Sequence, residues 1–299
     1  MIKHKKSLPS SDLSISLKPI KIKMSKSKLI IIVGLTASGK SEYAAKLAKK
    51  IGGEIVSADS RQVYKGLDIG TAKIKGQWCT DIADTKKTTT VVEWKRCAED
   101  AIDTIYRIGK TPIIVGGTMF YIKALADGLI LPQVPPNPKL RKKLEKKSAT
   151  ELFEILKKKD AQRSKIIEPK NKRRLIRALE IVAALGQVPK LKKRRKYDAL
   201  FLGLKRTPAE LKRRIEKRIS RMLKRGLVKE VQKLRAARLP WKRIYEFGFE
   251  YKYPALYLQK KISRNEMKEM LLKETLDYAR RQMVWFKKDK RIRWISRPC

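Results

Sequence analysis

Histidine is almost missing from this chain: His4 is the single one in 299 residues. The three cysteines, Cys79, Cys97 and Cys299, stand at no ligand spacing. With one histidine beside them, neither a zinc site nor a disulfide framework is readable, which fits a reducing compartment. No apolar run approaches the roughly 18 residues that a membrane span requires. The first 28 residues hold eight lysines and one acid, Asp12. They lack the apolar core of a secretory signal and the arginines of a mitochondrial presequence. They read as a disordered basic arm, with Met24 as an alternative start. Acid is scarce throughout, 29 Asp+Glu against 75 Lys+Arg, for a net charge of +46.

What is present is an ordinary apolar content of 42%, enough for a proper core and unlike a disordered chain. The excess charge is uneven. Residues 29–130 carry 15 basic and 11 acidic groups, residues 131–198 carry 22 and 7, and residues 199–299 carry 30 and 10. A near-neutral first part followed by a strongly basic remainder suggests a polyanion lying against the latter. A solvated lysine-rich surface is the alternative reading.

The chain is organised around residues 29–41. Leu29 to Val33 is a buried-strand pattern, and Gly34-Leu35-Thr36-Ala37-Ser38-Gly39-Lys40-Ser41 matches G-x-x-x-x-G-K-[ST]. Glycines let the backbone turn tightly so that successive N–H groups point at one anion. The helix that follows, from Glu42 to Ile51, aims its positive end at the same point. Lys40 adds a point charge, and the Ser41 hydroxyl is the usual Mg²⁺ ligand of such a loop. A Gly/Ser turn that fits by chance is the competing reading.

Two further strands, 54–59 and 112–117, are apolar and do not alternate, which means a parallel sheet with helices on both faces. The first ends at Asp59-Ser60-Arg61-Gln62, and ligands sit beyond the carboxyl ends of such strands. Asp59 is therefore a candidate base or Mg²⁺ partner, or else a helix N-cap. Composition shifts at Leu131. Pro132, Pro135, Pro136 and Pro138 break any helix, and basic amphipathic helices follow over 139–147, 150–160 and 171–185. Residues 199–204 return to a strand that rejoins the sheet, and the remainder is helical over roughly 208–225, 227–237 and 264–288, with a short strand near Arg293–Ile295. The expectation is an α/β fold: a P-loop NTPase-like core from 29–130 and 199–299, with a mostly helical insertion over 131–198. Tyr278 to Trp285 reads as core packing of the last helix rather than a base-stacking platform.

At this point the residues resemble the tRNA dimethylallyltransferases. The stretches are GLTASGKS at 34–41, SADSRQVYKGLDIGTAK at 57–73, PIIVGGTMFYIKAL at 112–125, RRLIRALEI at 173–181, RIEKRISRMLKRGLVKEV at 214–231 and YARRQMVWFKK at 278–288. The resemblance implies transfer of a dimethylallyl group from its diphosphate to N6 of adenosine 37, beside the anticodon of tRNAs reading codons that begin with U. It implies that the phosphate loop holds a diphosphate leaving group, with Mg²⁺ on Ser41 and with Thr36 bonding a diphosphate oxygen. It implies Arg218 as a clamp on the far side of that diphosphate and Asp59 as the general base. The adenine would be extruded from the anticodon arm into a channel. Asp59, Ser60, Arg61, Gln62, Thr118, Arg141, Arg173, Arg174, Leu175, Ile176 and Arg177 would meet the tRNA anticodon stem-loop. For the arginines of 173–177 a solvated helix face is the other reading.

The chain departs from the family at Ile74, where a proline is usual after GTAK. It departs again at Gln77 to Ile82, where histidines are usual; no role is assigned to that loop. A monomer without membrane attachment is expected. A small-molecule enzyme, either an adenylate-type isopentenyltransferase or a nucleotide kinase, would share the loop and Asp59. It would have no need of net +35 over residues 131–299.

Overall fold

The structure, a computed structural model, describes residues 28–296. The expected N-terminal arm, with His4, lies outside the described residues, as does Cys299. The fold follows from what one central strand must bury. In β1 (Lys28–Gly34) every residue from Leu29 to Val33 is fully buried. Strand periodicity sends Ile30 and Ile32 to one face and Leu29, Ile31 and Val33 to the other, so both faces need cover. The first face packs against Ala44 of α1 (Lys40–Ile51). The second packs against a larger core that includes Trp94 and Ile102 of α2 (Val91–Arg107). Burying one such aliphatic side chain is worth roughly 1.5–3 kcal/mol.

Strands β2 (Gly53–Ala58) and β3 (Thr111–Gly116) extend the sheet on one side of β1. After β3 come α3 (Met119–Ala126), the helices α4 (Pro138–Leu144), α5 (Ala149–Lys159), α6 (Ala161–Ser164) and α7 (Lys172–Leu185), and then β4 (Asp198–Leu204) on the other side of β1. The C-terminal part is helical: α8 (Pro208–Lys224), α9 (Leu227–Ala236), α10 (Trp241–Glu246), α11 (Phe249–Leu258) and α12 (Arg264–Phe286), closed by edge strand β5 (Arg293–Ile295). The five strands among the described residues are parallel, in the order β2-β3-β1-β4-β5. Connections leave β1 and β3 in opposite directions, so a crevice opens at their carboxyl ends, and the phosphate loop stands there.

Helices α4 to α7 enclose their own small core of Leu144, Leu152, Leu156, Leu175 and Leu179 among others. A short antiparallel neck joins them to the sheet: Arg194 N–H donates to Gly128 O at 2.9 Å and Ile130 N–H donates to Lys192 O at 2.9 Å. Gly128 has φ +58°, and a Cβ there would collide with the Arg194 backbone, so only glycine closes this neck.

One sequence expectation is corrected here. Cys79 and Cys97 are paired, with their Cα atoms 6.0 Å apart. Spacing along the chain could not reveal this, because pairing depends on tertiary approach. Ser57 N–H donates to Trp78 O and Trp78 N–H to Ile55 O, which lays residues 77–78 along the open edge of β2. That pairing blunts an exposed edge, and the disulfide ties it to α2. The segment that carried no assignment from sequence is thus the border of the sheet.

Candidate active site

The phosphate loop is held in shape partly by its own residues and partly by contacts from distant elements. Ala37 (φ 60°) and Gly39 (φ 96°) are both left-handed, which turns the chain back on itself. Ser38 N–H donates to Leu35 O, and the Lys40 ammonium also bonds Leu35 O at 3.0 Å. Two arginines from the C-terminal part hold loop carbonyls: Arg206 Nε donates to Ser38 O at 3.2 Å, and Arg214 Nε donates to Ala37 O at 2.7 Å. From α12, Gln282 accepts the Thr36 N–H at 2.8 Å.

Above the loop lies a cavity of about 1950 Å³. Thr36, Ala37, Gly39, Lys40 and Ser41 form its floor, and Asp59, Ser60, Arg61, Gln62 and Thr118 line one side. Lys217, Arg218 and Arg221 of α8 line another side, and Tyr278, Arg281, Gln282 and Trp285 of α12 a third. Arg141, Arg174 and Arg177 face in from the insertion. The wall carries sixteen basic side chains against three acidic ones, Glu42, Asp59 and Glu250. Low-dielectric walls of one sign focus the field on an anion entering the cleft.

Lys40 sits at the floor of this cleft. Burial pushes its ammonium pKa down to about 8, Arg218 pushes the same way, and Asp59 opposes both. Asp59 sits just past β2, where its Oδ1 accepts the Arg61 N–H at 2.8 Å. That is an Asx-turn, so the alternative reading of a helix N-cap is not realised. Ser60 N–H donates to the Thr118 hydroxyl at 3.0 Å, which joins the ends of β2 and β3. A second carboxyl, Glu250 in the first turn of α11, is pushed up to about 7, mainly by burial, with Arg218 and Arg61 opposing and Asp59 adding. Sequence reasoning missed Glu250, Gln282, Arg206 and Arg214. None stands in a motif with the loop, and only the fold brings them to it.

Other expected site residues lie away from the cavity wall or are engaged within the protein. Leu35 and Ser38 are buried beneath the loop rather than on the cavity wall, and the Ser38 hydroxyl lies under Gly34, where it has no hydrogen-bond partner. Leu175 (0% exposed) and Ile176 (7%) are core residues of the insertion, since their side chains face α5 rather than the cleft. Arg173 is exposed and lies off the cavity wall. Gln62 is buried, and its amide is spent internally on the Ser57 hydroxyl and Thr71 O. Arg141 and Arg177 do line the cavity, but both are tied to Glu180, 2% exposed, which takes Arg141 through both oxygens at 2.7 and 2.8 Å. Conversely, α12 is not only packing. Ala279 and Phe286 face the core, while Tyr278 and Trp285, the latter 46% exposed, stand on the cavity wall.

The loop from Gly66 to Lys73 is positioned by one buried carboxylate. Glu230 of α9 accepts the N–H groups of Asp68, Ile69 and Gly70 at 3.1, 2.7 and 3.1 Å and the Tyr251 hydroxyl at 2.8 Å. Lys73, its side chain 6% exposed, bridges Asp68 and Asp81 and donates to Tyr64 O. Removing a partner from buried donors costs about 1–3 kcal/mol per group. Glu230→Ala is therefore expected to cost at least about 3 kcal/mol and to lower Tm by roughly 6–12 °C. A calorimetric Tm within about 2 °C of the parent would mean that the loop holds itself.

Among the described residues, no group of three or more His, Cys, Asp or Glu side chains could hold a metal. No helix among the described residues is long and apolar enough to cross a membrane.

Comparison with known proteins covers these elements. A family model described as IPP transferase matches residues 62–289, and one described as isopentenyl transferase matches residues 27–79. The chain is 36% identical to a tRNA dimethylallyltransferase of Halothermothrix orenii, over 90% of this chain and 88% of that one. It is 39% identical to a tRNA dimethylallyltransferase of Caldicellulosiruptor saccharolyticus, over 88% and 90%. Among solved structures it matches the full-length tRNA isopentenylpyrophosphate transferase of Bacillus halodurans with a TM-score of 0.67 at 32% identity, covering 90% of each chain. It also matches a eukaryotic dimethylallyltransferase acting on tRNA, with a TM-score of 0.76 at 28% identity, over 90% of this chain and 74% of that one.

Proposed function

Since the chain belongs to the IPP transferase family, we propose that it is a tRNA-modifying prenyltransferase. It moves a dimethylallyl group from dimethylallyl diphosphate to N6 of adenosine 37 in the anticodon arm. The observation that carries this reading is one cavity in which a phosphate loop, a carboxylate at a strand end and sixteen basic side chains converge. The loop suits a diphosphate, Asp59 suits a base, and the basic walls suit the phosphates of an RNA, whose backbone contacts position it without reading its sequence. A free-nucleotide enzyme would need only the first two.

As the C–O bond of the donor breaks, negative charge builds on the diphosphate. Lys40, Arg218 and the loop N–H groups are fixed where they stabilise it. The exocyclic amine of the adenine becomes acidic only as the new C–N bond forms. A base that takes its proton must therefore be in place beforehand, and Asp59 on the end of a sheet strand is rigidly mounted. The donor set suits Mg²⁺. Ser41 faces the cavity beside Lys40, Asp59 lies across from it, and Mg²⁺ is ordinarily held by one or two such groups together with substrate phosphates and water. Bound there, it would neutralise leaving-group charge. The enzyme works as a monomer in the cytoplasm, where its RNA substrate is.

Lys40 gives a pH signature. A lysine whose pKa is lowered to about 8 loses its charge as pH rises through that value, and the anion then binds less well. For the donor, kcat/KM is expected to be flat below about pH 8 and to fall about tenfold per pH unit above it, as a single ionisation requires. A profile flat to pH 10 would remove Lys40 from donor binding.

The reading is tested by transfer of labelled dimethylallyl diphosphate, with Mg²⁺, to three acceptors: an anticodon stem-loop with adenosine at position 37, its guanosine variant, and free AMP. Label on the adenosine stem-loop alone is the expected result. Label on AMP would overturn it.

A further inference from the structure

Gln282 joins the donor floor to the acceptor wall, and the reaction as described makes no use of it. The residue is 5% exposed, and both ends of its amide are engaged. Oε1 accepts the Thr36 N–H at 2.8 Å, and Nε2 donates to Gly117 O at 3.2 Å, at the end of β3. Gly117 leaves the room this needs, because a Cβ there would strike Nε2. The same position lies 4.0 Å from Lys40 Nζ, so the anchor adjoins the ammonium that meets the anion. One turn before it and one turn after it on α12, Tyr278 and Trp285 stand on the cavity wall.

An anion-binding loop depends on its N–H groups being fixed in direction before the anion arrives. Left-handed residues at 37 and 39 give the loop its turn, but they do not fix the loop's entry at Thr36. A backbone N–H there would otherwise seek a partner in water or in the anion. With Thr36 N–H held by Gln282 and Ser38 N–H held by Leu35 O, the first half of the loop is locked, and what remains to greet the ligand is the far half with Lys40.

Resting on the reading of this cavity as a diphosphate site, we propose that Gln282 is a positioning residue for the phosphate loop. Its amide locks the loop entry to the end of β3 and so sets the affinity for the diphosphate of the donor. It touches neither reacting atom; it acts through Thr36 and Lys40.

The test uses the full-length protein with Gln282→Met, which keeps length and packing but removes both hydrogen bonds, and Gln282→Glu, which keeps the acceptor and loses the donor. Binding of inorganic diphosphate with Mg²⁺ is measured by calorimetry, alongside KM and kcat for dimethylallyl diphosphate, stem-loop affinity and Tm. Gln282→Met is expected to weaken diphosphate binding and raise donor KM about tenfold, the value of two lost hydrogen bonds. Stem-loop affinity should stay near that of the parent, and Tm should fall by a few degrees, because one donor and one acceptor lose their partners. Gln282→Glu should weaken diphosphate more than the methionine does, because it adds a like charge beside the anion. Unchanged diphosphate affinity in Gln282→Met would overturn the proposal. So would a fall in Tm with diphosphate and stem-loop affinity weakened equally, which would make Gln282 a packing residue. A parent protein that binds diphosphate but prenylates no acceptor would overturn the functional reading and leave this one standing.

Discussion

Asp59→Ala is expected to lower turnover by roughly 10²–10⁴ while stem-loop affinity stays within about threefold. On the proposed reading the carboxylate has two tasks, and one substitution cannot separate them. It closes an Asx-turn by accepting the Arg61 N–H at 2.8 Å, and it faces the cavity where the amine proton must go. Asp59→Asn keeps an oxygen for the turn and removes the base. If proton transfer is its role, the asparagine variant falls as far as the alanine variant. Near-parental turnover in Asp59→Asn, with a large loss in Asp59→Ala, would reduce Asp59 to a turn residue. Stem-loop affinity by filter binding guards against the third outcome, a collapsed RNA-binding wall.

Arg218→Ala is expected to lower kcat/KM for the donor by about 10²–10³, the usual loss when a fixed donor to developing negative charge is removed. Arg218 lies on α8 at the cavity wall, close enough to Lys40 and Glu250 to shift the pKa of each. That coupling supplies a second readout. Arg218 is the next largest cause, after burial, of the low Lys40 pKa. Its removal should therefore move the alkaline inflection of kcat/KM above about pH 8. The sign follows from charge: with one cation fewer nearby, the ammonium holds its proton to higher pH. Lysine in its place should recover part of the loss, since a point charge replaces a fork. Intact donor kinetics with weakened stem-loop binding would place Arg218 on the RNA instead.

The two effects act on different links of one chain of causes. Asp59 is mounted on the sheet itself. Arg218 is mounted on α8, three residues after Ile215 and four before Met222, on the flank of the face that Leu211, Ile215, Ile219 and Met222 bury. Substitutions in that buried face are accordingly expected to act on the donor step without touching it.

The chain by itself determined the elements whose signals are local. The apolar strands, the spacing from Gly34 to Ser41, the proline cluster that ends α3's connection and the long amphipathic helices are all written in neighbouring residues. Backbone conformation and burial act within a few positions of one another. Asp59 was legible for the same reason, as the first polar residue after a buried strand. Less regular helices were not: α3 and α11 pass unseen, the latter with Pro254 inside it. What only the tertiary structure decided is which distant residues complete the site. Gln282 meets Thr36 across 246 positions, Arg214 meets Ala37 across 177 and Glu230 meets Ile69 across 161. It also decided which motif residues are turned away, as Leu175, Ile176 and Ser38 are, and that Cys79 and Cys97 meet. A side chain's partner depends on the packing of whole elements, and that packing leaves no periodicity in the sequence around either residue.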